Sequence, residues 1–197
     1  MMRSRRAGGM KNRPMTIRSV FLVFGILMCC AWVSASSSGG STLDRWFESG
    51  RCGAFDARLS GQIPFARNDN EHLIWNQNSG SFEQFARKTQ YLYDPRQKSA
   101  LRVIGRGEGF GSYTWRFITT PPPNVTTSDL SKLRTTSNIR LGTRAATVLQ
   151  KLGKPRLVQA CGVARYYYLF AREVGGDALD FTIAGGRVVE IFQAFGD

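Results

Sequence analysis

Ile139-Arg140-Leu141-Gly142-Thr143-Arg144-Ala145-Ala146-Thr147-Val148-Leu149-Gln150-Lys151-Leu152-Gly153-Lys154-Pro155 is the stretch whose pattern decides how the chain should fold. Ala146, Val148, Leu149 and Leu152 recur at the spacing of one apolar helix face, and Thr143 offers a hydroxyl to the open amides of the first turn. Gly153 and then Pro155 stop the helix in the order expected of a C-terminus. Just upstream, Ser128 or Thr127 can cap a second short helix through Asp129, Leu130 and Leu133. Downstream come three strand-like runs: Gly162 to Arg172, with Tyr166-Tyr167-Tyr168 inside it, Ala178 to Ala184, and Arg187 to Ala194. Gly185-Gly186 supplies the positive backbone angles of a two-residue hairpin turn, which would pair Ile183 with Val188 and Phe181 with Glu190. Leu179, Phe181, Ile183, Val188 and Phe192 would then share one face, and the preceding helices are its nearest apolar cover. The expected class is α+β, with two short helices packed on a three-stranded antiparallel sheet over residues 128–197.

Working outward, Pro121-Pro122-Pro123-Asn124 removes amide donors and favours extended backbone, so residues 121–127 read as a linker. Residues 42–120 read as a mainly β region, with runs at Ala54–Phe65, Thr89–Tyr93, Ser99–Ile104 and Tyr113–Thr119. Ser81-Phe82-Glu83-Gln84 has the spacing of a capping box and opens one expected helix there. Gly105-Arg106-Gly107-Glu108-Gly109-Phe110-Gly111 is glycine-rich but lacks the lysine of a phosphate loop, and a strand-like run follows it. It is expected to be a connection between strands.

The Ile139-to-Pro155 segment, the Tyr166–Tyr168 strand, and Leu179-Asp180-Phe181 ahead of Gly186-Arg187-Val188 resemble the SmpA/OmlA (BamE-like) envelope domain. Members of that superfamily open on an I-x-x-G-x-[ST]-x-x-x-V-x-x-x-L-G-x-P helix and continue into a three-stranded antiparallel sheet. The resemblance spans about residues 128–197. It implies an exported envelope protein, an accessory of outer-membrane assembly that binds an envelope protein partner or an anionic membrane surface. The β-lactamase inhibitor proteins repeat the same unit twice, so the resemblance also admits a secreted protein inhibitor with a second helix-and-sheet unit within residues 42–127. That region holds no second Leu-Gly-x-Pro.

The chain has 197 residues, 42% apolar and 12% aromatic, which suits one globular domain or two small ones. Residues 1–35 carry six basic side chains and no acidic ones, then an apolar run from Val20 to Val33 and small residues at Val33-Ser34-Ala35. This is the pattern of an export signal cleaved after Ala35, leaving a periplasmic or secreted protein with a Ser/Gly spacer at 36–41. Cys29 and Cys30 follow Met28 and Cys29 rather than a small residue, which argues against lipid attachment. The run is short for a membrane anchor. The remaining chain keeps two cysteines, Cys52 and Cys161, and an even pair in an oxidising compartment most often forms a disulfide.

No pattern of catalytic residues emerges. His72 is the one histidine, which excludes a His-based metal cluster; no Gly-x-Ser-x-Gly surrounds a serine, and neither cofactor nor metal is expected. The reading is of a non-enzymatic protein. Charge is the sharper feature: Leu130 to Arg172 contains nine basic residues and no Asp or Glu. Arg140, Arg144, Lys151, Lys154 and Arg156 are the expected cationic binding surface, with exposed members of Tyr166, Tyr167 and Tyr168 as aromatic anchors. Nucleic acid is not an expected partner, because export removes the usual targets. A small-ligand-binding periplasmic protein is a further alternative.

Overall fold

The computed structural model describes residues 41–55, 62–68, 70–74, 89–107, 110–121, 124–171 and 176–195. The export signal, most of the spacer and the capping box at Ser81 lie outside these residues.

Helix α1 (Thr42–Glu48) begins where the Asp44 amide donates to Ser41 Oγ at 3.1 Å and the Ser41 amide donates back to Asp44 Oδ2 at 3.0 Å. This reciprocal box satisfies donors that a first turn leaves open. A 3-10 turn (Gly53–Phe55) follows where the sequence suggests the start of a strand, and further along that run Phe65 makes a single bridge to Leu169.

The strands are β1 (Leu73–Ile74), β2 (Thr89–Asp94), β3 (Ser99–Gly107), β4 (Phe110–Phe117), β5 (Thr126–Thr127), β6 (Arg134–Thr135), β7 (Arg156–Ala160), β8 (Val163–Ala171), β9 (Gly176–Ala184) and β10 (Arg187–Phe195), with helix α2 (Ala145–Leu152) before β7. β1 and β6 form a small pair; the other eight make one mixed sheet in the order β5-β2-β3-β4-β10-β9-β8-β7. This overturns the expected α+β class. The C-terminal strands do not close a three-stranded sheet under two helices, because β10 pairs antiparallel with β4 from Glu190↔Arg116 to Phe195↔Gly111. The described residues are mainly β, with two short α-helices among them. The glycine-rich run at 105–111 is likewise taken into β3 and β4, which pair through Gly105↔Gly111 and Gly107↔Phe110.

The first of the two expected C-terminal helices does not form. Its apolar residues Leu130 and Leu133 are fully buried all the same, in a loop whose Leu130 amide donates to Asp94 Oδ2 at 2.9 Å. Periodicity located buried side chains there and mistook the backbone that carries them. α2 forms where expected, but Arg144 occupies its N-cap and Thr143 Oγ1 instead accepts from the Arg140 amide at 2.9 Å. Its C-cap, Gly153, has φ 88°, a left-handed angle that glycine takes without steric cost.

The β9–β10 hairpin turns at Gly185-Gly186 and pairs Ile183 with Val188 as the spacing predicts. Beyond that the register shifts between Val188 and Glu190, so that Glu190 pairs with Thr182 and Ile191 with Phe181. This bulge reverses which side chains face the core. Ile191, not Phe192, joins Leu179, Phe181, Ile183 and Val188 in the main core beneath α2, and Glu190 turns to the opposite face. The main core also takes Leu101, Trp115, Tyr168 and the α2 residues Val148 and Leu152.

Candidate functional site

The five basic residues expected at the surface divide. Arg140, Arg144 and Lys154 are exposed, whereas Lys151 and Arg156 are half-buried. Lys151 Nζ donates to the Ser137 carbonyl, and Arg156 sits opposite Tyr167 in the β7–β8 pairing. Topology adds a residue that linear reading missed: Arg187, at the start of β10, bridges antiparallel to Arg144, and the Gly186 carbonyl accepts from the Ala145 amide at 2.9 Å. Arg187 is exposed and donates to the Gly142 carbonyl at 2.9 Å. The loop before α2, the helix start and the β9–β10 turn therefore present Arg140, Arg144 and Arg187 together. Leu149, on the outward side of α2, is 38% exposed.

The three tyrosines lie in the sheet. Tyr168 is fully buried and donates to the Gly153 carbonyl at 3.0 Å, with burial and then Tyr166 raising its phenol above its ordinary range. Tyr167 packs on the other face with Phe55 and Val158, and Tyr166 is half-buried against the main core. Tyr167 and Tyr168 are thus closed to solvent, and Tyr166 keeps part of its ring at the surface. The expected disulfide joins Cys52 to Cys161.

The sheet face opposite α2 carries a cluster that charge counting along the chain does not show. Cross-strand register sets Arg102, Thr114, Phe192, Asp180 and Tyr167 in one row, and Arg116, Glu190, Thr182 and Arg165 in the row beside it. Arg51, which follows α1, closes over both: its Nε and Nη2 donate to Glu190 Oε2 and Oε1 at 2.9 and 2.8 Å. Arg165 Nη2 reaches Glu190 Oε1 at 3.2 Å, and Arg116 Nε lies 3.7 Å from Oε2. Burial opposes the Arg51 charge, yet Glu190 and Glu48 hold that guanidinium protonated beyond arginine's usual range. Glu190 reaches this cluster because the bulge turns it off the core face, and neither a bulge nor cross-strand neighbours can be read from one strand's sequence.

α1 is tied to the same face. Phe47 is fully buried beneath the Arg102 guanidinium, 4.7 Å from the ring centroid. Glu48 pairs with Arg102 and with Arg51, and Asp44 accepts from the Tyr91 hydroxyl. The Tyr91 bond holds Asp44 below its ordinary 3.8; burial penalises the Glu48 charge, but Arg51 and Arg102 outweigh it and hold Glu48 below 4.5. Carboxylates that ionise more readily in the folded chain contribute stability above their unfolded pKa and lose it as pH falls through the folded one. The melting temperature should therefore fall as pH drops from about 5 to about 3, and Asp44→Asn with Glu48→Gln should flatten that slope in a calorimetric pH series.

Among the described residues no group of His, Cys, Asp and Glu is arranged to hold a metal, and no helix is long and apolar enough to cross a membrane. Comparison with protein-family models, with curated proteins and with solved structures finds no match for this chain.

Proposed function

We propose that this chain is an exported, non-enzymatic envelope protein that holds to an anionic membrane surface through the face built by Arg140, Arg144, Lys154 and Arg187. One observation carries the reading: the acid-free stretch from Leu130 to Arg172 buries Leu130, Leu133, Ile139, Val148 and Leu152 in the core and keeps Arg140, Arg144 and Lys154 in solvent. Each such cation near an anionic leaflet is worth about 1 kcal/mol. Exposed Leu149 among them follows the interfacial pattern of an apolar side chain between basic ones. The burial of Tyr167 and Tyr168 favours a lipid surface over a protein partner, because protein interfaces concentrate their energy in exposed aromatic anchors. The disulfide agrees with an oxidising compartment. An accessory role in outer-membrane assembly is the finer form of this reading.

Flotation with vesicles tests it. The full chain should float with vesicles containing phosphatidylglycerol and not with pure phosphatidylcholine. Arg140→Glu, Arg144→Glu and Lys154→Glu together should weaken binding by more than about 100-fold. The melting temperature should barely move, since exposed substitutions of this kind change stability by about 0.5 kcal/mol or less each. Unchanged flotation of the triple variant, or equal flotation with both lipids, overturns the reading.

A second reading, a secreted protein inhibitor, is favoured by the sheet order. The antiparallel meanders β2-β3-β4 and β8-β9-β10 meet through their last strands, so the order is the same for three strands outward from either side of the β4–β10 seam, beyond which β5 adds parallel and β7 antiparallel. That reading expects a stoichiometric complex with a soluble hydrolase and no flotation with either lipid.

A further inference from the structure

Between α1, the 3-10 turn and the sheet face opposite α2 lies an open cleft of about 610 Å³. Its polar wall is Arg51, Arg102 and Arg165 with Glu48 and Asp180; its apolar wall includes Phe55, Tyr167 and Phe192. Ligand sites commonly have this size and this division between apolar lining and a few converging polar groups.

Among the described residues, the cleft lining carries three guanidiniums, Arg51, Arg102 and Arg165, against two carboxylates, Glu48 and Asp180. Burial holds the Arg116 guanidinium below arginine's usual range; Glu190 opposes this, and Arg51 adds to it. Among the described residues, Arg102 Nε, Arg165 Nε and Thr114 Oγ1 are buried without a hydrogen-bond partner, and the carboxylate nearest Arg165 Nε is Asp180 at 3.9 Å. Arg165 is 6% exposed and Thr114 is 1% exposed. Guanidiniums beside an apolar wall are suited to the paired oxygens of a carboxylate or phosphate on an apolar body.

We propose that this cleft binds one small amphipathic oxyanion, a carboxylate or phosphate ester on an aromatic or aliphatic body. Its head sits on the guanidiniums of Arg51, Arg102 and Arg165, and its body packs on Phe55, Tyr167 and Phe192. The site lies on the opposite sheet face from α2 and does not depend on the membrane reading.

Titration calorimetry of the full chain with 2-naphthoate, 2-naphthyl phosphate and inorganic phosphate decides it. At least one naphthyl compound should bind once per chain, at least about tenfold tighter than inorganic phosphate, and which one binds tighter identifies the head group. Ala178→Phe, which adds a ring to the cleft lining and keeps every arginine in the sequence, should abolish this binding. Arg102→Gln should weaken it by about tenfold or more, with near-ultraviolet circular dichroism confirming that each variant is folded. Failure of both naphthyl compounds to bind, unchanged binding by folded Ala178→Phe, or inorganic phosphate binding as tightly overturns the proposal. None of these outcomes bears on vesicle flotation.

Discussion

Replacing Cys52 and Cys161 together by alanine should lower the free energy of unfolding by about 4–5 kcal/mol, the loss expected when a bridge spanning roughly 100 residues is removed. The disulfide joins residues separated by 109 positions. Cys161 stands at the β7–β8 turn, and Cys52 stands between α1 and the 3-10 turn. The bridge therefore fastens the segment that carries Arg51 and Phe55 to the edge of the sheet. Cys52 also packs beside Phe55, Val158 and Tyr167, so the same substitution loosens a small apolar cluster. A domain of this size has about 5–15 kcal/mol of stability in total, so the double variant should unfold at much lower denaturant. Vesicle flotation should persist below that midpoint, because the cationic face is built from other segments. A loss under about 1 kcal/mol would mean that Phe47 and Arg51 hold the N-terminal segment without the bridge.

The second large effect centres on Glu190. It is 6% exposed and meets Arg51, Arg116 and Arg165. A buried ion pair adds little against a well-packed apolar alternative, yet removing one partner leaves charge buried without compensation, at a cost of about 3–5 kcal/mol. Glu190→Ala removes the acceptor that three guanidiniums share, leaving Arg51 with Glu48 and Arg165 with Asp180, and should fall within that range in urea unfolding. Glu190→Gln keeps one acceptor oxygen and removes the charge, so it should lie between the wild type and alanine. A cost below about 1 kcal/mol for Glu190→Ala would show that the arginines relax into solvent and that the cluster is not a fixed feature of the fold.

Local chemistry made part of this legible and long-range pairing hid the rest. α2 and the β9–β10 turn follow from apolar spacing, Gly153, Pro155 and Gly185-Gly186, each of which acts within a few residues. The cysteine pair follows from parity. The eight-stranded sheet could not be read in this way, because the pairing of β4 with β10 is decided by how Trp115 and Ile191 share a core, not by either strand alone. The α+β expectation failed for the same reason: a pattern that ends in three strands does not reveal what their free edge will meet. Leu130 and Leu133 show the converse, since burial was predicted and the helix was not formed. For the site, exposed Arg140, Arg144 and Lys154 were legible as an acid-free run, while Arg187 joined them through a turn. Of the three tyrosines, Tyr167 and Tyr168 are buried and Tyr166 is half-buried, a division that the sequence run does not reveal. The arginine cleft left no linear signal, because its residues come from α1, the segment after it, β3, β8, β9 and β10, and are brought together by cross-strand register and by the packing of the N-terminal segment on the sheet.

Hydrogen exchange of the full chain on phosphatidylglycerol vesicles, resolved by peptide, tests the membrane-facing surface most directly. Slowed exchange should appear in peptides covering residues 139–157 and the β9–β10 turn, and should be absent from residues 41–55 on the opposite face. Protection confined to 41–55, or binding with no protection in 139–157, would contradict the assignment of that surface.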